Sequence, residues 1–382
     1  MISNEPKRVL FYVQHLLGIG HVRRAALIAA AIADTGMACH VVLGGSAVSG
    51  INWGAATIHD LPPVLAADQS FSRYLTPDNT EPDEDYWADR QSKLIAVVDD
   101  IQPDVVMIEQ FPFGRRKFRH EIAAMIKRAN VLKPDTRIAG SVRDVLVGSH
   151  RSDKARFAVD ILKRDFDVLL VHGDPAFIPF AETFPLAAEI EDLIRYTGYV
   201  APPAPKDALG NGDVIVSAGG GAVGGNLLRV AMQARQQGLL AAHHWRFLTG
   251  PNLPSEEIDW LKAVCPANVT IEPNRPDYPS LLRGAALSIS QAGYNTLMDI
   301  VRAGCPALVV PFAAEGETEQ MLRAKRLATI GALTLLEEKD LSPDRLSDAA
   351  HEAVSALRLT KPLFSLDGAE RSAAMISELL GR

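Results

Sequence analysis

Short apolar, β-branched runs alternate along the chain with longer stretches in which apolar residues recur every three or four positions. The run from Arg8 to Gln14 predicts a strand, Val22 to Asp34 an alanine-rich helix and Cys39 to Leu43 the next strand, which makes a βαβ opening. Further strands are predicted at Asp104 to Ile108, Thr136 to Val142 and Phe166 to Val171, each after helix-like sequence. Near-continuous apolar strands alternating with helices predict an open parallel sheet covered on both faces. Between them, Pro62 to Asp85 is polar and proline-punctuated, and it predicts a long surface excursion.

The densest proline and glycine segment, Ala201 to Gly212, predicts an interdomain linker. Beyond it the alternation restarts. Strands are predicted at Asp213 to Ser217, Trp245 to Thr249, Val269 to Glu272, Leu287 to Ser290 and Ala307 to Val310. The intervening helices fall at Leu227 to Gln236, Glu256 to Val264, Tyr278 to Arg283, Tyr294 to Ala303 and Thr318 to Ile330. The expected plan is a first α/β domain over residues 1–200, a linker over 201–212, a second α/β domain over 213–362 and a closing segment, 363–382. The Ala369 to Leu380 helix of that segment can pack back on the first domain.

Composition narrows the function classes. Apolar residues are 47% and charged residues 22% of 382, ordinary for a folded protein and unlike a disordered one. With 46 acidic against 39 basic residues, the chain lacks the basic footprint of a nucleic-acid binder. No apolar run approaches the roughly 20 residues of a membrane span. The short Val9 to Val13 run follows charged sequence and lacks a signal-peptide core, so a cytoplasmic protein is expected. The three cysteines, Cys39, Cys265 and Cys305, form no CxxC pair and read as small buried hydrophobes.

Two glycine-rich loops follow the first strand of each domain, where open parallel sheets place their ligands. The first, Gly18-Ile19-Gly20-His21-Val22-Arg23, begins like a dinucleotide fingerprint. Arg23 stands at its third glycine position, and strand two ends in Gly44-Gly45 without the ribose-gripping acid. The second, Ser217 to Asn226, can bring backbone N–H groups and a helix N-terminus against a diphosphate. Lacking a Lys-Ser or Lys-Thr, it is not a triphosphate P-loop. A third stretch, Ser288 to Phe312, reads as strand, small-residue turn, helix, Gly-Cys-Pro stop and strand. Asp299 lies one turn and a half into that helix, as a solvated carboxylate or as a bidentate acceptor for a ribose diol.

These residues are recognisable. The turn Ser-Gln-Ala-Gly-Tyr-Asn-Thr (290–296) with Ala-Gly-Cys-Pro-Ala-Leu-Val-Val-Pro-Phe (303–312) resembles the C-terminal domain of family 28 glycosyltransferases, over Asp213 to Leu336. The N-terminal Gly-Ile-Gly-His-Val-Arg-Arg loosely resembles that family's glycine-rich loop, with one glycine fewer. The resemblance implies a GT-B fold, two Rossmann-like domains facing across a crevice. It implies a UDP-sugar or related donor held by the second domain: Gly220 and Gly221 against the diphosphate, and Ile271 and Glu272 near the base. Ser290, Gly293 and Asn295 would surround the phosphates, Asp299 would hold the ribose, and Glu319 and Gln320 the sugar hydroxyls. It further implies inverting transfer to a hydroxyl acceptor, lipid-linked or otherwise anionic, compatible with peripheral contact at the membrane's inner face. A nucleotide-sugar epimerase or hydrolase, and a non-catalytic nucleotide-sugar-binding protein, are the rival readings.

Inverting transfer needs a base, and the first domain offers two. His21 begins the helix after the first glycine loop, beside Gly18 and Gly20. Glu109 ends the Val105 to Ile108 strand and could be the base or pair with an arginine. Arg23, Arg115 and Arg143 could bind an anionic acceptor, and Arg143-Asp144 lies at a further strand end as a crevice candidate or an ion pair. Asp83-Glu84-Asp85 and Asp165-Phe166-Asp167 read as solvated acids rather than a metal-binding Asp-x-Asp, so no metal cofactor is expected.

Overall fold

A computed structural model of the protein describes residues 5–16, 20–67, 73–146, 152–219, 224–238, 240–250, 253–312, 318–356 and 364–381. The chain divides into two compact units, Met1–Val200 with Asp367–Arg382, and Ala201–Leu366.

The first unit contains β1 (Arg8–Val13), α1 (Gly20–Asp34), β2 (Ala38–Leu43), β3 (Thr57–Asp60), β4 (Leu65–Ala66), β5 (Tyr74–Leu75), α2 (Glu84–Ile101), β6 (Val105–Glu109), α3 (Arg119–Leu132), β7 (Arg137–Arg143), α4 (Ser152–Asp165), β8 (Val168–His172) and β9 (Ile194–Tyr196). The second contains β10 (Val214–Ser217), α5 (Gly225–Ala234), β11 (Trp245–Thr249), α6 (Ser255–Ala263), β12 (Val269–Pro273), α7 (Tyr278–Gly284), β13 (Leu287–Ser290), α8 (Tyr294–Ala303), β14 (Ala307–Val309), α9 (Glu319–Thr329), β15 (Thr334–Leu335) and α10 (Pro343–Ser355). The chain then ends in α11 (Gly368–Leu379), which belongs to the first unit.

Each unit is built on one parallel sheet. The orders are β3-β2-β1-β6-β7-β8-β9 and β12-β11-β10-β13-β14-β15. In both, strands are added outward on one side of the first strand and then on the other. The connection therefore reverses between β1 and β6, and between β10 and β13, and ligands of open α/β sheets bind beyond the strand ends at such switch points.

The period of two along β1 explains the layering of the first unit. Leu10 and Tyr12 enter one core with Leu94, Val98, Ile122 and Met125 of α2 and α3. Val9, Phe11 and Val13 enter the other, with Ala25, Ile28 and Ile32 of α1 and Ala369, Ala373 and Ile376 of α11. Ile376 is fully buried there. Ile376→Ala should therefore destabilise the first unit by about 2–5 kcal/mol through lost burial and a residual cavity. Denaturant unfolding followed by a probe in that unit checks this; an unmoved midpoint would contradict the packing of α11.

Two sequence expectations change. The Pro62 to Asp85 stretch is anchored: Val64 is fully buried, β4 and β5 pair, and Asp83 caps α2 by accepting from the Tyr86 N–H at 2.8 Å. The 201–212 stretch belongs to the second unit, with Leu209 N–H on Ser280 O at 2.9 Å and Gly212 N–H on Gly284 O at 2.8 Å. A Cβ at Gly210 would meet Leu281 O at 2.2 Å, so glycine lets this backbone lie directly on α7. Of the cysteines, Cys39 and Cys305 are buried, whereas Cys265 is exposed.

Candidate active site

In the first unit the switch point gathers a buried polar cluster. Glu109 closes β6 with no side-chain exposure and is ion-paired with Arg24 of α1, itself buried. The same Oε1 lies 3.2 Å from Nδ1 of His21. Its Oε2 accepts from Ser141 Oγ of β7 at 2.5 Å, and Ser141 Oγ lies 2.8 Å from His172 Nε2. His172 Nδ1 in turn lies 2.9 Å from Thr197 Oγ1.

Electrostatics assigns the charges. Burial alone would raise the Glu109 pKa, but Arg24 and then His21 hold it far below the usual carboxylate range, so Glu109 is an anion. His21 is lowered to about 3, first by burial and then by the Arg143 guanidinium. His172 is also lowered to about 3, first by burial and then by Arg24. Both imidazoles are neutral near pH 7.

Glu109 is therefore the partner of an arginine and a histidine. With its carboxyl inside and ionised against Arg24, it is unsuited to serve as the base. His21 retains 17% side-chain exposure and remains reachable.

The acceptor-side candidates separate. Gly18 lies outside the described residues, and Gly20 is the first residue of α1. Arg23 and Arg143 are partly exposed. Arg115 is held by a 2.6 Å bond from its Nε to Gln14 O, in a left-handed backbone at φ 59. Asp144 is fully buried and engaged by Tyr199 Oη at 2.6 Å and the Val145 N–H at 3.0 Å. It pins its own loop and is not an open acceptor contact. Ser141 and Thr197 are not singled out as site residues by sequence reasoning.

In the second unit, Gly219 turns the chain out of β10 at φ +70, a conformation that favours glycine. Gly220 and Gly221 lie outside the described residues, as do residues 313–317. Helix α8 starts after an extended Gly293, so its first N–H groups lie at the end of β13. Ser290 is fully buried, while Gly293 and Asn295 are partly exposed at that terminus.

Gln320 Oε1 accepts from the Ala292 N–H at 3.2 Å and the Phe312 N–H at 3.1 Å, joining the loops after β13 and β14. Its amide NH₂ is the group left for a ligand. Glu319 is buried and pairs with Arg323 at 3.2 Å, whose guanidinium stands 5.1 Å from the Tyr294 ring centre. It therefore ties α9 to α8 and does not meet a sugar as an open carboxylate.

Asp299 is 1% exposed, which excludes the solvated helix carboxylate. Burial first, and then the Asp299 charge, push the Tyr278 hydroxyl pKa up. Glu272 is engaged by Arg246 at 2.6 Å and Arg275 at 3.1 Å, so its side chain is not an open contact for a base. Ile271 beside it packs half-buried on the core of the unit.

Residues 215–361 match the model of the glycosyltransferase family 28 C-terminal domain. The chain carries a family 28 glycosyltransferase C-terminal domain. The match spans the switch-point loops after β10 and β13, which places the family's signature on the geometry just described.

Two curated relatives share the name UDP-N-acetylglucosamine–N-acetylmuramyl-(pentapeptide) pyrophosphoryl-undecaprenol N-acetylglucosamine transferase. That of Exiguobacterium sibiricum is 29% identical over 135 residues, 35% of this chain and 37% of the relative. That of Xanthomonas axonopodis pv. citri is 31% identical over 210 residues, 52% of this chain and 46% of the relative. In both, the chain spans less than half the length of the relative it matches.

Among solved structures, the calicheamicin glycosyltransferase CalG4 superposes with a TM-score of 0.59 at 16% identity, covering 99% of this chain and 95% of that one. Acinetobacter baumannii MurG gives 0.58 at 16% identity, covering 98% and 100%. The fold shared with these structures is GT-B, two Rossmann-like units. Among the described residues, no helix is long and apolar enough to cross a membrane.

Proposed function

We propose that the protein is an inverting, metal-independent glycosyltransferase that moves a sugar from a UDP-sugar to a hydroxyl of a lipid-linked, anionic acceptor. The observation that carries this reading is the His21–Glu109 pair at the first unit's switch point, with Nδ1 of a neutral imidazole 3.2 Å from a buried carboxylate. With Nδ1–H donating to Glu109, Nε2 carries the lone pair that can take the acceptor's proton. Glu109 stabilises the imidazolium that forms, as an orienting carboxylate does in other acid–base pairs. A carboxylate with no exposure is poorly placed to form a covalent glycosyl intermediate, which favours single displacement and inversion.

The donor belongs to the second unit. Glycine amides after β10 and the N-termini of α5 and α8 supply partial positive charge for the departing diphosphate. Asp299, Asn295 and the Gln320 NH₂ are the polar groups we assign to ribose, phosphate and sugar. The names of the relatives supply the class of donor and of lipid-linked acceptor. Partly exposed Arg23 and Arg143 suit an anionic acceptor, and such an enzyme would work as a cytoplasmic protein that meets the membrane peripherally.

Metal independence is supported by the use already made of the acidic motifs. Asp83 caps α2, and Asp167 accepts from Ile138 N–H at 2.7 Å and Arg137 at 2.9 Å. Transfer assayed with UDP-N-acetylglucosamine and an undecaprenyl-diphosphate sugar acceptor should continue at nearly full rate in EDTA, with an inverted anomeric centre in the product. Complete loss restored by manganese or magnesium, or retention of configuration, would overturn the mechanism.

A further inference from the structure

The hydrogen-bond chain beyond Glu109 reaches groups to which the proposed transfer assigns no role. Glu109 Oε2 is an anion's oxygen, so Ser141 must donate to it across 2.5 Å. A hydroxyl has one proton, so Ser141 must then accept from His172 Nε2–H across 2.8 Å. That fixes His172 as the Nε2–H tautomer and leaves its Nδ1 to accept from Thr197 Oγ1, 2.9 Å away. Thr197 Oγ1 also lies 2.8 Å from Gly198 O, a competing acceptor for its one proton. Every member from Glu109 to Thr197 is buried, where misdirected protons leave unsatisfied groups at high cost.

The other carboxylate oxygen has a choice to resolve. Nδ1 of His21 is 3.2 Å from Glu109 Oε1 and also 3.2 Å from Arg24 Nη2. In one arrangement His21 donates from Nδ1 to Glu109 and keeps Nε2 basic. In the other it accepts from Arg24 at Nδ1 and carries its proton on Nε2, where it cannot act as a base.

We propose that Ser141 and His172 are positioning residues that hold the Glu109 carboxylate turned so that His21 adopts the base-competent Nδ1–H tautomer. By tying down Oε2, Ser141 stops the carboxylate from rotating both oxygens onto Arg24 and abandoning His21. His172 keeps the Ser141 proton pointed at Glu109, because its own Nε2–H occupies the hydroxyl's accepting side. The charged and titratable groups around this chain are Arg24 and His21 of α1, Arg143 at the end of β7, Arg115 after β6, and Asp144.

The inference rests on His21 being the base, and its test has an arm that does not use turnover. Full-length protein labelled with ¹³C and ¹⁵N histidine should show His21 as Nδ1–H and His172 as Nε2–H. In Ser141→Ala and His172→Leu, His21 should shift toward Nε2–H. Turnover at saturating donor should fall about 10- to 100-fold in each, with UDP affinity unchanged. The double variant should lose no more than the single ones, because residues acting as a unit are non-additive. His172→Gln, whose amide NH₂ can donate to Ser141 from nearly the Nε2 position, should restore the Nδ1–H tautomer and most of the rate. An unchanged His21 tautomer in Ser141→Ala and His172→Leu, in protein with native UDP binding, overturns the positioning role whatever the activity. Shifted tautomers with unchanged transfer overturn His21 as base instead.

Discussion

His21→Ala is expected to lower turnover at saturating donor by about 10²- to 10⁴-fold, the usual contribution of a positioned general base, roughly 3–5 kcal/mol of barrier. Donor affinity should be unchanged, because the groups assigned to the nucleotide belong to Ala201–Leu366 and His21 to the other unit. Glu109→Gln should reproduce most of the loss, since an amide can accept from Nδ1–H but cannot stabilise an imidazolium. Steady-state transfer with each variant, beside calorimetric UDP binding, separates the two quantities. Wild-type turnover in His21→Ala would remove the histidine from the chemistry.

The second large effect is on stability. Arg24→Ala leaves the Glu109 charge inside the first unit without its main counter-ion, and breaking a buried pair in this way costs about 3–5 kcal/mol. Arg24→Met combined with Glu109→Gln removes both charges at similar volume and should recover most of that loss. Denaturant midpoints of the single and double variants decide it; an Arg24→Ala midpoint equal to wild type would show that the pair contributes nothing.

The same cluster sets a pH dependence. His21 and His172 are lowered to about 3 in the folded chain, so below about pH 6.5 the unfolded chain binds protons that the folded chain refuses. Their contribution therefore falls as pH drops from about 6.5 toward 3. Glu109, held below its ordinary value, acts in the same direction once pH falls below about 4.5. Stability should decline between pH 7 and 5, and less so in His172→Gln; a flat or rising profile would contradict the neutral, buried imidazoles.

Much of this architecture is legible in the sequence. Strands such as Val105–Glu109 and Leu287–Ser290 are apolar runs flanked by helical periodicity, and their boundaries were readable to within a residue or two. Leu65–Ala66 and Thr334–Leu335 are too short to carry a pattern, and tertiary pairing alone makes them strands. The Ala201 to Gly212 segment looked like a linker because proline and glycine usually mark turns. Here Gly210 is small so that backbone can pack on backbone.

The site divides along similar lines. His21 and Glu109 were visible as polar residues at strand ends, but their pairing depends on β1 and β6 being neighbours, which no local spacing states. Ser141 and His172 carry the same signal, a polar residue within or ending a buried strand. Glu109 stands opposite Ser141 in the ladder, and Arg143 opposite His172. The carboxylates of Glu272, Glu319 and Asp144 looked available in one dimension. Folding supplied each with partners tens of residues away or on the adjacent helical turn.

The central claim is that a nucleotide diphosphate sugar is held beyond β10 and β13 of the second unit. Hydrogen–deuterium exchange of the full-length protein, with and without saturating UDP-N-acetylglucosamine, tests it most directly. Amide protection is expected over residues 217–226 and 290–297, which include the first turns of α5 and α8. Protection confined to the first unit, or none at a concentration where calorimetry shows binding, would contradict the account.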